Sequence, residues 1–136
     1  MHAGYALDRH SIAQVNRLAI VCTLTLLLQM QYVRSLSSVV FSFRSLSRSV
    51  SIRYLVGQVR AGAQLLQVFE SWGGELSAEH FEAFSCPYLA KIASGVKAAL
   101  KVEGIPEVPM VVFAKGAHYA LEVLAETEYD VIKIDW

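Results

Sequence analysis

The sequence contains few of the residues that hold together small disulfide-rich or zinc-binding domains. Its 136 residues include only two cysteines, Cys22 and Cys86. Neither has a C-x-x-C partner or a nearby histidine at zinc-ligand spacing, so neither a disulfide framework nor a metal site is indicated. Free thiols are typical of a reducing compartment, and we therefore expect a cytoplasmic protein.

Acidic residues are almost absent from the first part of the chain, and lysine is missing from it altogether. Residues 1–53 carry six arginines and one acid, Asp8, and the first lysine is Lys91. Residues 54–136 carry six basic and eleven acidic residues, so the formally neutral chain divides into a part near +5 and a part near −5. The basic part lacks interleaved aromatic residues and a recognisable binding module, so we do not expect a nucleic-acid partner.

The chain also lacks a clear membrane span. Its apolar run LAIVCTLTLLL, residues 18–28, is eleven residues long, whereas a spanning helix needs ~20. A helix is possible over residues 12–32. Residues 34–53 are rich in serine and arginine and contain no acid, as transit peptides do, which leaves a plastid location as the alternative. We interpret residues 1–53 as an unassigned extension that is poorly ordered or partly helical.

Helix signals recur at regular intervals from residue 54 onward. Apolar residues at helical spacing end before Gly62, where a helix is expected to stop. Ser77 is placed as an N-cap for a helix that begins near residue 78. Pro87 predicts a break near Ser85 and a second helix to about residue 101. A further helix is expected over residues 117–126.

Three short apolar segments alternate with these helices and are predicted to be strands. They are AQLLQVFE, MVVFAK and YDVIKIDW, at residues 63–70, 110–115 and 129–136. Strands of this kind that alternate with helices are typical of a parallel sheet covered on both faces, which places the chain in the α/β class. Right-handed crossovers put the carboxyl ends of all three strands at one edge.

Polar residues follow each predicted strand, at the edge where α/β proteins bind ligands. Glu70 and Ser71 end the first strand, Lys115 ends the second, and Asp135 and Trp136 end the third. Taken alone, these residues are either parts of a shared site or ordinary loop polarity, and Ser71 in particular could simply close the turn before Gly73.

Residues 54–136 resemble the uroporphyrinogen decarboxylases in four segments that occur in family order and at family spacing. The segments are YLVGQVRAGAQLLQVFESWGGELS, FEAFSCPYLAKIASGVKAAL, VPMVVFAKGAHYALEVLAE and YDVIKIDW. The resemblance implies a (β/α)8 TIM barrel, of which these would be three consecutive strands from the second half. It also implies removal of four acetate carboxyl groups from uroporphyrinogen III to give coproporphyrinogen III, without a cofactor, by a homodimeric enzyme.

The resemblance assigns a role to one residue and leaves other family roles unfilled. Ser71 aligns with a serine that contacts the tetrapyrrole in the family, and a hydroxyl can donate to a substrate carboxylate without adding charge. Lys115 could meet a substrate carboxylate or the acid Asp135. The family's arginine-rich loop, catalytic aspartate, tyrosine and late histidine have no counterpart here, and His80 and His118 do not align with that histidine, so both are interpreted as surface residues.

We therefore expect a fragment of such an enzyme that is inactive alone, because three of eight strands cannot close a barrel. One alternative is a non-catalytic fragment that docks on the full-length enzyme. The other is the cobalamin-dependent methyltransferases, which share the barrel, but the H-x-C motif of their zinc site does not occur in this sequence.

Overall fold

The computed structural model describes the backbone of residues 37–135 and the side chains of residues 48–135. The helix considered over residues 12–32 and the apolar run at 18–28 lie outside the described residues, as do Cys22 and Trp136. The described part begins with helix α1, Ser37–Arg60. This helix passes through the predicted boundary between residues 53 and 54 without interruption, while the interpretation of residues 1–53 as an extension stays a prediction.

Helix α1 ends where glycine was expected to end it. The Gly62 N–H bonds to the Val59 carbonyl at 2.9 Å, and Gly62 has a φ of 102°, which a residue with a Cβ adopts only at a cost. The chain then turns into the first strand.

Three strands form one sheet, as predicted: β1 (Leu66–Glu70), β2 (Met110–Ala114) and β3 (Val131–Lys133). Their spatial order is β1-β2-β3, and both pairings are parallel. This confirms an α/β fold with consecutive strands side by side. Strand β3 differs from a strand covered on both faces, because it lies at the edge of the described sheet and Val131 is 49% exposed.

The two helices between β1 and β2 begin and break as the sequence predicts. Helix α2, Ala78–Phe84, is capped by Ser77, whose hydroxyl accepts a hydrogen bond from the His80 N–H at 3.3 Å. The helix ends at Ser85, and α3, Cys86–Val102, starts with Pro87 in its first turn, where proline's missing N–H leaves no bond unmade.

The last helix is shorter than predicted. Residues His118–Ala120 form a 3-10 turn, and only Leu121–Ala125 form an α-helix, named α4. The turn is tight because Gly116 has a φ of 70° and the Ala120 N–H bonds back three residues to the Ala117 carbonyl at 3.0 Å.

One apolar core lies between the sheet and the helices. Alternate residues of β1 and β2 reach it together with residues of α1 and α3; its most buried members include Leu66, Val68, Phe81, Leu89, Ile92, Val96, Leu100, Met110 and Val112. Since alternate side chains of a strand point to opposite faces, the residues between them point to the face away from this core.

Candidate site at the carboxyl ends of the strands

The register of the sheet aligns the three residues predicted from the sequence. Glu70 pairs with Ala114 and Phe113 pairs with Lys133. Ser71, Lys115 and Asp135 therefore continue one row across the strand ends, on the side away from the core. All three line a single open cleft of about 540 Å³, together with Trp72, Gly74, Glu75 and Gly116. We call this the strand-end cleft.

Asp135 is fixed by the loop that follows β2. Both of its carboxylate oxygens lie 3.0 Å from the Gly116 nitrogen, which donates to them. That N–H, together with the nearby charges of His118 and Lys115, holds the pKa of the Asp135 carboxyl below its usual range. The His118 Nε2 lies 3.8 Å from Oδ1. Asp135 is thus an oriented anion at one side of the cleft.

Lys115 has a fixed backbone and an exposed side chain. Its N–H donates to the Glu70 carbonyl at 3.0 Å, and its own carbonyl accepts from the Gly74 N–H at 2.7 Å. Within residues 48–135, no carboxylate lies within ion-pair distance of its ammonium group, so the pair with Asp135 considered from the sequence is not formed. The charge of Lys115 is available to a ligand in the cleft.

Glycines allow the two cleft loops to touch. A Cβ added to Gly74 would lie 2.9 Å from the Cα of Gly116, and one added to Gly73 would lie 3.0 Å from the Cβ of Ala117. The distance at Gly74 is shorter than real Cβ contacts and the distance at Gly73 is shorter than most of them, so the loops after β1 and β2 pack this closely because these positions lack side chains. The two glycines that follow Trp72 therefore serve this loop contact.

Glu70 is the functional candidate whose surroundings the sequence did not predict. Its side chain is 1% exposed, on the core side of β1. Its Oε2 accepts from the Ser85 hydroxyl at 2.9 Å, and its Oε1 accepts from the Trp72 N–H at 3.2 Å. Desolvation raises the pKa of the Glu70 carboxyl, and these two bonds oppose the rise. The sequence showed an acid at the end of a buried strand. It did not show that Ser85, fifteen residues further on, is the hydrogen-bond partner of this acid.

Tyr119 ties the same region to the loop after β2. Its hydroxyl lies 2.7 Å from the Gly73 carbonyl oxygen and 2.8 Å from the Leu76 carbonyl oxygen, and these two acceptors share its single proton. Its ring meets Phe81 edge to face, with centroids 5.9 Å apart. The loop after β1 is consequently held from the Glu70 side and from the Tyr119 side.

The cleft lining places two hydrogen-bond donors beside two carboxylates. The Ser71 hydroxyl and the Lys115 ammonium group are hydrogen-bond donors, and Glu75 and Asp135 supply negative charge beside them. No arginine lines the described cleft. His80 and His118 are exposed, in agreement with their interpretation as surface residues.

The described residues contain neither a cluster of metal ligands nor a helix that could span a membrane. From residue 48 to 135, no three His, Cys, Asp or Glu side chains come together as ligands for a metal ion. Cys86 is a buried free thiol. Across the helices of residues 37–135, none combines the length and the apolar character needed to cross a bilayer.

A parallel α/β sheet with a polar cleft at its strand ends defines a class of proteins that bind small molecules at that edge. Comparison with known proteins narrows the class. A sequence model described as "Uroporphyrinogen decarboxylase (URO-D)" matches residues 37–136. The chain belongs to this family.

Individual relatives agree with the family assignment. The uroporphyrinogen decarboxylase of Salinibacter ruber is 58% identical over 86 residues, which are 63% of this chain and 23% of that protein. The enzymes of Schizosaccharomyces pombe and Mus musculus are 55% and 51% identical over 86 and 87 residues, covering 63% and 64% of this chain and 24% of each relative. The chain thus spans about a quarter of the length of the curated relatives it matches.

Proposed function

We propose that the strand-end cleft binds the carboxylate groups of uroporphyrinogen and contributes to its decarboxylation to coproporphyrinogen in porphyrin biosynthesis. The observation that carries this proposal is the convergence of Ser71, Lys115 and Asp135 on one cleft in a chain that belongs to the uroporphyrinogen decarboxylase family. The three strands are then consecutive strands of an eight-stranded barrel, whose ligand sites lie at this edge.

Each of the three residues has a distinct part in this proposal. The Ser71 hydroxyl donates a hydrogen bond to a propionate or acetate oxygen, and the Lys115 ammonium group adds charge to a second such contact. Asp135 holds the loop at Gly116 in place and repels carboxylates from its own side of the cleft. Binding and orientation need no cofactor.

The residues that line the described cleft support binding more than they support the chemical step. Decarboxylation of a pyrrole acetate needs protonation of the ring and stabilisation of the resulting cation beside a carboxylate. Arginine forks are the usual means of holding several carboxylates at once, and none lines this cleft. We therefore propose that this chain alone binds the tetrapyrrole without turning it over.

The binding proposal is tested with uroporphyrin, the stable oxidised form of the substrate, titrated into the full chain. Lys115→Met is expected to weaken binding about tenfold and Ser71→Ala about fivefold, because each removes a hydrogen bond to a charged group. Lys101→Met and Ser94→Ala are the matched controls, since both residues lie on α3 outside the cleft. The proposal would be contradicted if uroporphyrin did not bind, or if it bound the Lys115→Met and Ser71→Ala variants as tightly as the parent chain.

The claim of binding without turnover has its own assay. Uroporphyrinogen is incubated with the chain, and products with seven, six and five carboxyl groups are sought. Their appearance would show that the described cleft or the rest of this chain supplies the proton donor and the cation-stabilising group.

A second candidate function rests on the exposed third strand. Within residues 37–135, β3 pairs only with β2, and Val131 and Ile134 are 49% and 53% exposed. We propose that this edge docks on a complete uroporphyrinogen decarboxylase chain, because family members are expected to be homodimers and the unpaired backbone groups on the free side of β3, at the edge of the described sheet, can pair with another strand. Co-purification with a relative's enzyme tests this, and Val131→Lys is expected to abolish it.

The location of the protein is a separate proposal. Two cysteines without an indicated disulfide favour the cytoplasm. A plastid location is the alternative if residues 1–53 act as a transit peptide. Fluorescent fusions with and without residues 1–53 distinguish the two, since only a transit peptide changes the location when it is removed.

A further inference from the structure

The acid at the end of β1 has surroundings that neither the binding proposal nor the packing of the core explains. Glu70 is 1% exposed, and no cation pairs with it among the side chains of residues 48–135. A buried carboxylate without a cation costs stability, whereas an apolar residue at this position would add to the core. Glu70 therefore lowers the stability of the fold relative to an apolar residue, and its two carboxylate oxygens each accept a hydrogen bond.

The two carboxylate oxygens of Glu70 accept hydrogen bonds from two different segments of the chain, the cleft turn and the break between α2 and α3. Oε1 accepts the Trp72 N–H at 3.2 Å, in the turn that carries Ser71 and Trp72 into the strand-end cleft. Oε2 accepts the hydroxyl of Ser85 at 2.9 Å, and Ser85 is 0% exposed at the junction of α2 and α3. The Glu70 side chain thus links the break between α2 and α3 to the turn that lines the cleft. We call these two bonds the Glu70 clamp.

We propose that Glu70 is a positioning residue, anchored by Ser85, that sets the turn of Ser71 and Trp72 for ligand contact. This inference rests on the proposed function only in that the ligand of the turn is taken to be a tetrapyrrole carboxylate. A hydrogen-bond donor must lie within a few tenths of an ångström of its acceptor to contribute fully, and contacts on loops depend on groups behind them for that accuracy.

The break between α2 and α3 supplies the rigid side of the clamp. The Ser85 N–H bonds to the Phe81 carbonyl at 2.8 Å, and the Ser85 carbonyl accepts from the Leu89 N–H at 3.1 Å. Both helices therefore hold the Ser85 backbone. Because the Ser85 backbone is fixed, its hydroxyl holds the Glu70 carboxylate in place. The Glu70 carboxylate in turn restrains the Trp72 N–H and the turn that contains it.

Trp72 offers a direct optical readout of the clamp. The chain contains two tryptophans, Trp72 and Trp136. In a Trp136→Phe background the emission comes from Trp72 alone, whose side chain is 42% exposed and whose N–H is bonded to Glu70. Emission wavelength and acrylamide quenching report the position of this side chain whether or not a ligand is present.

Four variants in the Trp136→Phe background test the proposal. Glu70→Ala removes both acceptors, Ser85→Ala removes the anchor, and Glu70→Gln keeps an acceptor for Trp72 and can donate to Ser85. Leu100→Ala is the matched control, because it opens the buried core on α3 away from the turn. Uroporphyrin affinity, Trp72 quenching and thermal stability are measured for each at a temperature where it is folded.

We expect Glu70→Ala and Ser85→Ala to weaken uroporphyrin binding roughly tenfold and to increase quenching of Trp72. Glu70→Gln should stay within about twofold of the parent, and Leu100→Ala should lose stability without changing affinity or quenching. If Glu70→Ala does not fold, Ser85→Ala and Glu70→Gln carry the same comparison.

A different set of results would overturn the proposal. Clamp variants that lose stability as Leu100→Ala does, with unchanged affinity and quenching, would reduce Glu70 to a structural role and overturn the proposal. If the parent chain fails to bind uroporphyrin, the proposed function fails, while the quenching of Trp72 still decides whether Glu70 positions the turn.

Discussion

At the scale of single residues, the cleft depends on positions where a side chain would be too large. Gly74 and Gly116 touch through their backbones, and a Cβ on Gly74 would lie 2.9 Å from the Gly116 Cα. A flexible side chain could move aside, but a backbone that is itself bonded to Asp135 cannot do so easily.

Gly74→Ala is therefore expected to lower the free energy of unfolding by about 1–3 kcal/mol, because it forces the two loops apart. Gly57→Ala is the matched control: Gly57 lies inside α1 with nothing within 4 Å of an added Cβ. That change should raise stability by about 0.5–1 kcal/mol. Urea unfolding measures both, and equal effects of the two changes would contradict the loop contact.

The buried acid makes a residue-scale prediction about pH. Desolvation raises the pKa of Glu70 in the folded chain above its ordinary value of 4.5. The folded state thus binds the proton more tightly than the unfolded state, so the contribution of Glu70 to stability is present at low pH and is lost as pH rises through the raised pKa.

Glutamine cannot titrate, so the comparison with Glu70→Gln isolates this effect. From about pH 4 to about pH 7, the free energy of unfolding of the parent should fall relative to that of Glu70→Gln. Denaturant titrations at several pH values measure the difference. A difference that is independent of pH, or that moves in favour of the parent, would show that the carboxyl is not desolvated.

At the scale of elements, α1 connects the start of the described region to the core. Ile52 lies before the boundary predicted at residues 53 and 54, yet a Cβ on Gly95 of α3 would meet its Cδ1. Ile52 packs against the core cluster, and its neighbour Ser51 is buried. The helix contact thus begins on the far side of that boundary.

Ile52→Ala should consequently lower the free energy of unfolding by about 2 kcal/mol, since it removes half-buried methyl groups from a helix contact. Val50→Ala is the control, because Val50 is 49% exposed and its loss should change stability by less than about 0.5 kcal/mol. If Ile52→Ala is as neutral as Val50→Ala, the folded unit begins after residue 53 and the predicted boundary holds.

Helix boundaries were predicted correctly where the sequence signal is local. The cap at Ser77, the break at Ser85 and the stop near Gly62 were all predicted correctly. Each of these signals depends only on residues within about four positions of it in the sequence. The last helix was predicted too long, because its apolar content did not reveal the tight turn that Gly116 starts.

At the scale of the whole molecule, strand order and direction followed from the alternation of helices with short apolar strands. The meeting of Ser71, Lys115 and Asp135 followed from that order. Long-range side-chain contacts did not follow, because the Glu70–Ser85 bond and the Gly74–Gly116 contact join residues whose proximity only the packed fold creates. Closure into a barrel stays a prediction from the family resemblance.

The central claim is that a carboxylate-bearing tetrapyrrole binds in the row formed by Ser71, Lys115 and Asp135. The most direct test is an amide chemical-shift map of the full chain with and without uroporphyrin. The largest shifts should fall on the cleft loops, above all at the Gly74 and Gly116 N–H groups, which are bonded to the Lys115 carbonyl and to Asp135. Shifts confined to α1 or the exposed edge of β3, with none at these glycines, would contradict it.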